Sequence, residues 1–226
     1  MTPVASRRTA PAQPGTVANT ANIGFRSSPE VPAGSINPEN HAAPQGGAGF
    51  LYAGPRAASR PHACLSYEVR FPAGFDFVRG GKLPGLYGGG APSGGAAVDD
   101  DSGFSVRLMW RQDGAGEAYA YTIGKRNARY GDSIGRGSWH FAPGQWQHVE
   151  LEIDVNTPGR ADGALRVWVD DRLAVERRDV TYRGHASTGV DGMMFSTFFG
   201  GHDPSWATPR EQRVEFRRFE LRAPAP

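Results

Sequence analysis

The chain has a single cysteine, Cys64, so no intramolecular disulfide can form and the core must carry the stability. Cys64 lies in an apolar, strand-like run with no base beside it, which fits an inert buried thiol rather than a nucleophile. Lysine is almost missing: of 25 cationic residues only Lys82 and Lys125 are lysines. No run of 18 apolar residues occurs, so no membrane-spanning helix is expected. The charge surplus is small, +2, which excludes nucleic-acid binding by bulk electrostatics. No segment keeps a helical period over three turns. His140, His148, His185 and His202 show neither His-x-His nor His-Glu-x-x-His spacing, so no metal centre is expected from them.

What remains is the pattern of an all-β protein. Glycine is abundant, with 31 residues, and it falls between short apolar runs as turns do. Residues 1–20, rich in Ala, Pro, Thr and Ser, read as a disordered tail or an expression remnant. Arg7 and Arg8 are followed by no apolar stretch, so no export signal is read in this chain. Residues 21–226 read as one domain, whose first part, to Pro61, wraps the edge as extended strands and loops.

From Cys64 onward strands alternate with turns. Gly103 to Arg111 places Phe104, Val106, Leu108 and Trp110 on one face and Ser105, Arg107, Met109 and Arg111 on the other. Glu117 to Lys125 sets Tyr119, Tyr121 and Ile123 on one side. His148 to Val155 turns Val149, Leu151, Ile153 and Val155 inward. Asp170-Asp171-Arg172 marks a hairpin turn, Met193 to Phe199 is an apolar strand, and a change of parity at Arg217-Arg218 predicts a bulge. Many short strands with turns every 8 to 12 residues predict a two-sheet antiparallel sandwich closed as a β-jelly roll, the concanavalin-like arrangement.

The stretch from Gly80 to Gly90, Gly80-Gly81-Lys82-Leu83-Pro84-Gly85-Leu86-Tyr87-Gly88-Gly89-Gly90, reads as a glycine-rich loop holding Lys82. Lysine, unlike arginine, loses its proton when desolvated, so Lys82 is either a site for proton chemistry or a solvated cation on a turn. Gln112 to Gly116 would join two neighbouring antiparallel strands and bring Arg107 beside Tyr119 and Tyr121. A guanidinium forks onto a carboxylate and tyrosines stack on sugars, although strand tyrosines also serve to cover half-buried faces.

Together these strings resemble the alginate and glucuronan lyases, polysaccharide lyase families 14 and 20. The matching strings are Gly80 to Gly89, Gly103 to Arg111, Tyr119-Ala120-Tyr121, Asn156-Thr157-Pro158-Gly159, Asp162 to Asp170 and Phe195 to Asp203, in that order, within residues 64 to 221. The resemblance implies a cleft on the concave sheet and β-elimination of a uronic-acid polymer. It implies catalytic roles for Lys82, Arg107, Tyr119 and Tyr121, with base, acid and neutraliser left unassigned among lysine and tyrosines. Ser105, Arg111, Thr197, His202 and Trp206 are the expected substrate contacts. The expected partner is an acidic polysaccharide, for a monomer acting outside the cell as a secreted protein, with no nucleic acid and no membrane.

Two other readings compete. A carbohydrate-binding module on the same fold would keep the arginine and aromatic cleft without proton chemistry. Glu152-Ile153-Asp154-Val155-Asn156 is similar to the catalytic strand of β-glucan hydrolases, but the second glutamate is absent, so the retaining pair is missing and a solvated strand face is expected. Asp99-Asp100-Asp101 offers oxygens for a structural calcium or is solvated. Trp139, Trp146 and Trp168 are expected in the core or at the rim. Arg126 and Arg129 either extend a basic groove for a polyanion or solvate a loop.

Overall fold

The computed structural model describes residues 19–23, 28–54, 59–127 and 129–223, with side chains from residue 28 onward. The tail expected at residues 1–20 lies almost wholly outside them. Fourteen strands occur among the described residues: β1 (Asn19–Ile23), β2 (Glu30–Val31), β3 (Ala48–Ala53), β4 (His62–Arg70), β5 (Gly80–Gly89), β6 (Gly103–Arg111), β7 (Gly116–Tyr121), β8 (Asp132–Ile134), β9 (Trp146–Asp154), β10 (Gly163–Val169), β11 (Arg172–Val180), β12 (Gly192–Phe199), β13 (Gln212–Arg213) and β14 (Glu215–Ala223). One six-stranded sheet runs β1-β14-β4-β9-β10-β11 and the other β3-β12-β5-β6-β7-β8. All pairings are antiparallel. Among the described residues the helical content is two 3₁₀ turns. This is the expected jelly-roll sandwich.

The inner faces follow the alternation read from the sequence. Phe104, Val106, Leu108 and Trp110 of β6 meet Val149, Leu151 and Ile153 of β9 in one core. At one end, Phe71, Phe75, Phe77, Trp110 and Phe199 pack edge-on and stacked with ring centroids 4.9 to 5.9 Å apart. Each such ring contributes roughly 1.5–3 kcal/mol by its removal from water. Asp170 and Asp171 adopt left-handed φ of 48° and 61°, as a tight hairpin requires. The ladder between β14 and β4 shifts register between Arg217 and Glu220, with Arg218 at φ 57°, so the bulge is where the parity change put it.

Two expectations need correction. The tyrosine strand ends at Tyr121, not Lys125. More importantly, the glycine-rich stretch around Lys82 is not a loop: it is β5, hydrogen-bonded between β12 and β6 in the middle of the second sheet. Glycine is required there for close packing. A Cβ on Gly81 would lie 2.1 Å from the Trp110 ring, and one on Gly85 would lie 1.9 Å from the Val106 carbonyl oxygen. Pro84 has no N–H to give, and the pairing slips beside it, between Leu83 and Gly85. The ladder to β12 slips at the same level, between Met194 and Phe198. We expect Gly81→Ala to destabilise the protein by about 1–3 kcal/mol through overpacking, read as a lower urea midpoint at unchanged slope.

Candidate active site

The outer face of the second sheet forms a cleft of about 660 Å³. Its floor is built by neighbouring strands: Lys82 from β5, Arg107, Met109 and Arg111 from β6, and Tyr119 and Tyr121 from β7. Register fixes their order, since Lys82 lies opposite Met109 and Arg107 lies opposite Tyr119. The structure therefore brings together all four residues assigned catalytic roles from the sequence. Of the charged residues lining the cleft, Lys82, Arg107, Arg111, Arg129 and Arg136 are cationic, against Glu39 and Asp203. Such a surface raises the local concentration of a polyanion.

Lys82 is half-buried, its Nζ 4.5 Å from the centre of the Tyr119 ring and 3.2 Å from the Met109 sulfur. Burial, with the nearby Arg107 and Arg111 guanidinium groups, holds its amine well below the ordinary lysine range, against a smaller opposing pull from Glu117. A lysine so placed is a neutral amine, able to accept a proton, at a pH where solvent-exposed lysines are ammonium.

Arg107 is 3% exposed. Its Nε has no hydrogen-bond partner, and Nη1 finds only the Ser196 hydroxyl at 3.5 Å. Among the described residues it forms no salt bridge. Burial lowers its proton affinity, but a guanidinium keeps its charge. A desolvated, unpaired cation lining an open cleft is costly, and an incoming carboxylate would relieve that cost.

The two tyrosine rings meet edge to face, 5.7 Å between centroids. The Tyr119 hydroxyl accepts a hydrogen bond from Gly131 N at 3.1 Å, and the Tyr121 hydroxyl accepts one from Gly95 N at 3.0 Å. Each oxygen is thus held by a backbone donor. Burial and the neighbouring Tyr121 push Tyr119 above the ordinary tyrosine range, so it keeps its proton.

Of the expected substrate contacts, Arg111, His202 and Trp206 line the cleft. The Arg111 guanidinium sits 5.8 Å from the Trp206 ring centre and 5.9 Å from that of Tyr119. His202, which follows β12, stacks on Tyr130 from the β7–β8 connection at 5.4 Å. Since β5 and β6 lie between β12 and β7, this pair reaches across the cleft. The other two contacts are not brought in. Ser105 is fully buried and donates to the Pro92 carbonyl at 2.6 Å, fixing the connection that leads to Gly95. Thr197 is 1% exposed and outside the lining. Its neighbours Ser196 and Phe198 occupy the cleft instead, because residues alternate faces along β12.

Sequence reasoning missed Ser196, Met194, Tyr130, Glu39 and the fully buried Glu117. Period-two alternation from Arg107 already put Met109 on the cleft face, and the same rule applied to Phe195 would have found Met194 and Ser196. Glu39 and Tyr130 come from connections that carry no such signal. Arg129 lines the cleft, whereas Arg126 does not.

The remaining acidic candidates do not line the cleft. Asp99 accepts hydrogen bonds from Asp101 N and from Ser102, closing its own loop, while Asp101 pairs with His185 at 3.1 Å. Glu152 and Asp154 lie on the other sheet, on β9, where both pair with Arg166 and Asp154 also with His62. The hydrolase-like strand is therefore remote from the cleft.

The fold and the cleft define a carbohydrate-active jelly roll, and residues 28–219 match the polysaccharide lyase 14 family model. The chain belongs to that family and is a polysaccharide lyase. The alginate lyase of Aplysia kurodai is 30% identical, with a TM-score of 0.77 over 92% of this chain and 87% of its own. Alginate lyase vAL-1 from a Chlorella virus is 23% identical, with a TM-score of 0.75 over 92% and 90%. Alginate lyase Aly36B, solved as a variant with an alginate tetrasaccharide, is 22% identical with a TM-score of 0.71 over 88% and 80%. The latter two share the fold. No curated protein sequence matches the chain.

Proposed function

We propose that this lyase cleaves an alginate-type polyuronate by β-elimination at the Lys82–Arg107–Tyr119–Tyr121 cleft. The observation that carries this reading is Arg107, a buried guanidinium without a carboxylate partner among the described residues, beside a lysine that gives up its proton readily. The similarity to the Aplysia kurodai alginate lyase supports the choice of polymer.

The chemistry assigns the roles. The C5 proton of a uronate becomes acidic only when its carboxylate is neutralised and can take up developing charge. Arg107 supplies that neutralisation from a fixed, desolvated position. The neutral amine of Lys82 removes the C5 proton. The C5–H electron pair becomes the C4–C5 double bond, and the C4–O4 bond breaks. O4 leaves with a proton from the Tyr119–Tyr121 hydroxyl pair, whose backbone donors hold both oxygens in place. No oxidant or added water is consumed.

The direct test is incubation with alginate and with glucuronan while following ultraviolet absorbance of the unsaturated product. Absorbance growing on alginate supports the proposal, and growth on glucuronan alone reassigns the polymer. Binding without absorbance on every polyuronate would make the protein a binding module instead. Tyr119→Phe and Tyr121→Phe are each expected to lower kcat by roughly 10²-fold or more. The double variant is expected to lose less than the product of the two, because the hydroxyls act as one unit. Fully multiplicative losses would separate their roles.

A further inference from the structure

Glu117 is fully buried behind a cleft whose charged lining residues are mostly cationic. Its Oε1 accepts hydrogen bonds from Arg111 Nε at 2.8 Å and Nη2 at 2.5 Å. Its Oε2 accepts from Arg136 Nε at 2.6 Å and from the Ser133 hydroxyl at 2.5 Å. All three partners line the cleft. Glu117 itself lies opposite Met109, which lies opposite Lys82, so the carboxylate and the lysine stand in one row across β7, β6 and β5. A carboxylate buried this completely persists as an anion only with such partners. Burial opposes its ionisation, yet the Arg111, Ser133 and Arg136 hydrogen bonds hold it below the ordinary carboxylate range.

We propose that Glu117 is a positioning residue of the active site: it fixes Arg111 and Arg136 against the cleft wall and supplies the negative charge that offsets them beside Lys82. This role rests on the elimination reading, in which Lys82 must lose and regain a proton in each turnover. The charged and titratable groups around Lys82 are Arg107 and Arg111 from β6, Glu117 and Tyr119 from β7, and, after β12, His202 and Asp203. Arg107 and Arg111 weaken the hold of Lys82 on its proton, and Glu117 strengthens it. Without the Glu117 charge, Lys82 would bind its proton more weakly and Arg111 and Arg136 would repel one another.

The chain has only two lysines, so the test is simple to read. With ¹³C-labelled lysine, the Lys82 Cε resonance is assigned by its loss in Lys82→Arg and then titrated in the substrate-free protein. Glu117→Gln is expected to move the Lys82 midpoint to lower pH, by roughly half a unit to one unit. Arg136→Gln, which leaves Glu117 with one fewer counter-charge, is expected to move it to higher pH. In the enzyme assay, the acid limb of kcat/KM against pH should follow the same two directions, with KM for alginate raised several-fold in both variants. A merely structural role would lower kcat in both and leave the midpoint in place. An unmoved midpoint, or the same direction of shift in both variants, overturns the proposal. Should Glu117→Gln fail to fold, Arg136→Gln still decides the sign. If wild-type protein yields no unsaturated product from any polyuronate, the elimination reading fails, while the titration still decides whether Glu117 controls Lys82.

Discussion

Lys82→Ala is expected to lower kcat on alginate by about 10²- to 10⁴-fold, the loss typical of removing a general base, and Lys82→Arg is expected to be just as inactive. The arginine variant is the informative one. If Lys82 merely neutralised a carboxylate, arginine would keep the charge and much of the rate. Because a guanidinium does not deprotonate in water, it cannot take the C5 proton. Substantial activity in Lys82→Arg would transfer the base to Tyr119 or Tyr121 and leave Lys82 as a second neutraliser. Stability gives an independent check of the same physics. A lysine whose folded proton affinity is depressed destabilises the fold where the unfolded chain carries the ammonium and the folded chain must either carry it buried or release it. That penalty is fully present at low pH, shrinks as pH rises from the folded to the unfolded midpoint, and is gone above the ordinary lysine value of about 10.4. Lys82→Met should therefore raise Tm most at mildly acidic pH and little at the alkaline end. The Tm difference between variant and wild type, measured across pH, checks this.

Arg107→Met is expected to abolish most turnover while making the protein more stable. Loss of a fixed donor to developing charge costs about 10²- to 10³-fold in kcat. The same guanidinium is 3% exposed and lacks a carboxylate partner among the described residues, so the empty enzyme bears its desolvation cost. Replacing it with an apolar chain of similar length should add about 1–2 kcal/mol of stability, or about 2–8 °C in Tm for a domain of this size. A trade of this kind marks a residue kept for function rather than for folding. Two measurements on one variant, initial rate and thermal midpoint, check it. A variant that loses both activity and stability would mean that Arg107 holds the cleft together, and the neutralising role would pass to Arg111 or Arg136. An alginate oligosaccharide should also raise the Tm of the wild type more than that of Arg107→Met, because only the wild type has the cation to pair.

Much of the site was legible because a strand writes its two faces into alternate residues. Once Phe104, Val106 and Leu108 were assigned inward, Arg107 had to face out. The order of the motifs then placed Tyr119 and Tyr121 on the next strand. Local composition misled at Lys82, where glycines and a proline read as a loop. Local propensity there was overridden by packing: Trp110 and the Val106 backbone leave no room for side chains at Gly81 and Gly85, so glycine is what allows a central strand. Thr197 was assigned to the cleft because its string matched, although alternation from the buried Phe195 and Phe199 turns it into the core.

The amino-acid sequence by itself determined the all-β sandwich, the faces of β6 and β9, the hairpin at Asp170-Asp171 and the company of Lys82, Arg107 and two tyrosines. These are consequences of local periodicity, turn chemistry and order along the chain. Only the tertiary structure decided which charges are paired and which are left waiting. Arg111 meets Glu117, while Arg107, four residues earlier and on the same face, has no carboxylate partner among the described residues. Pairing and desolvation depend on what the neighbouring strands and connections bring within a few ångströms, and no pattern along one strand encodes that.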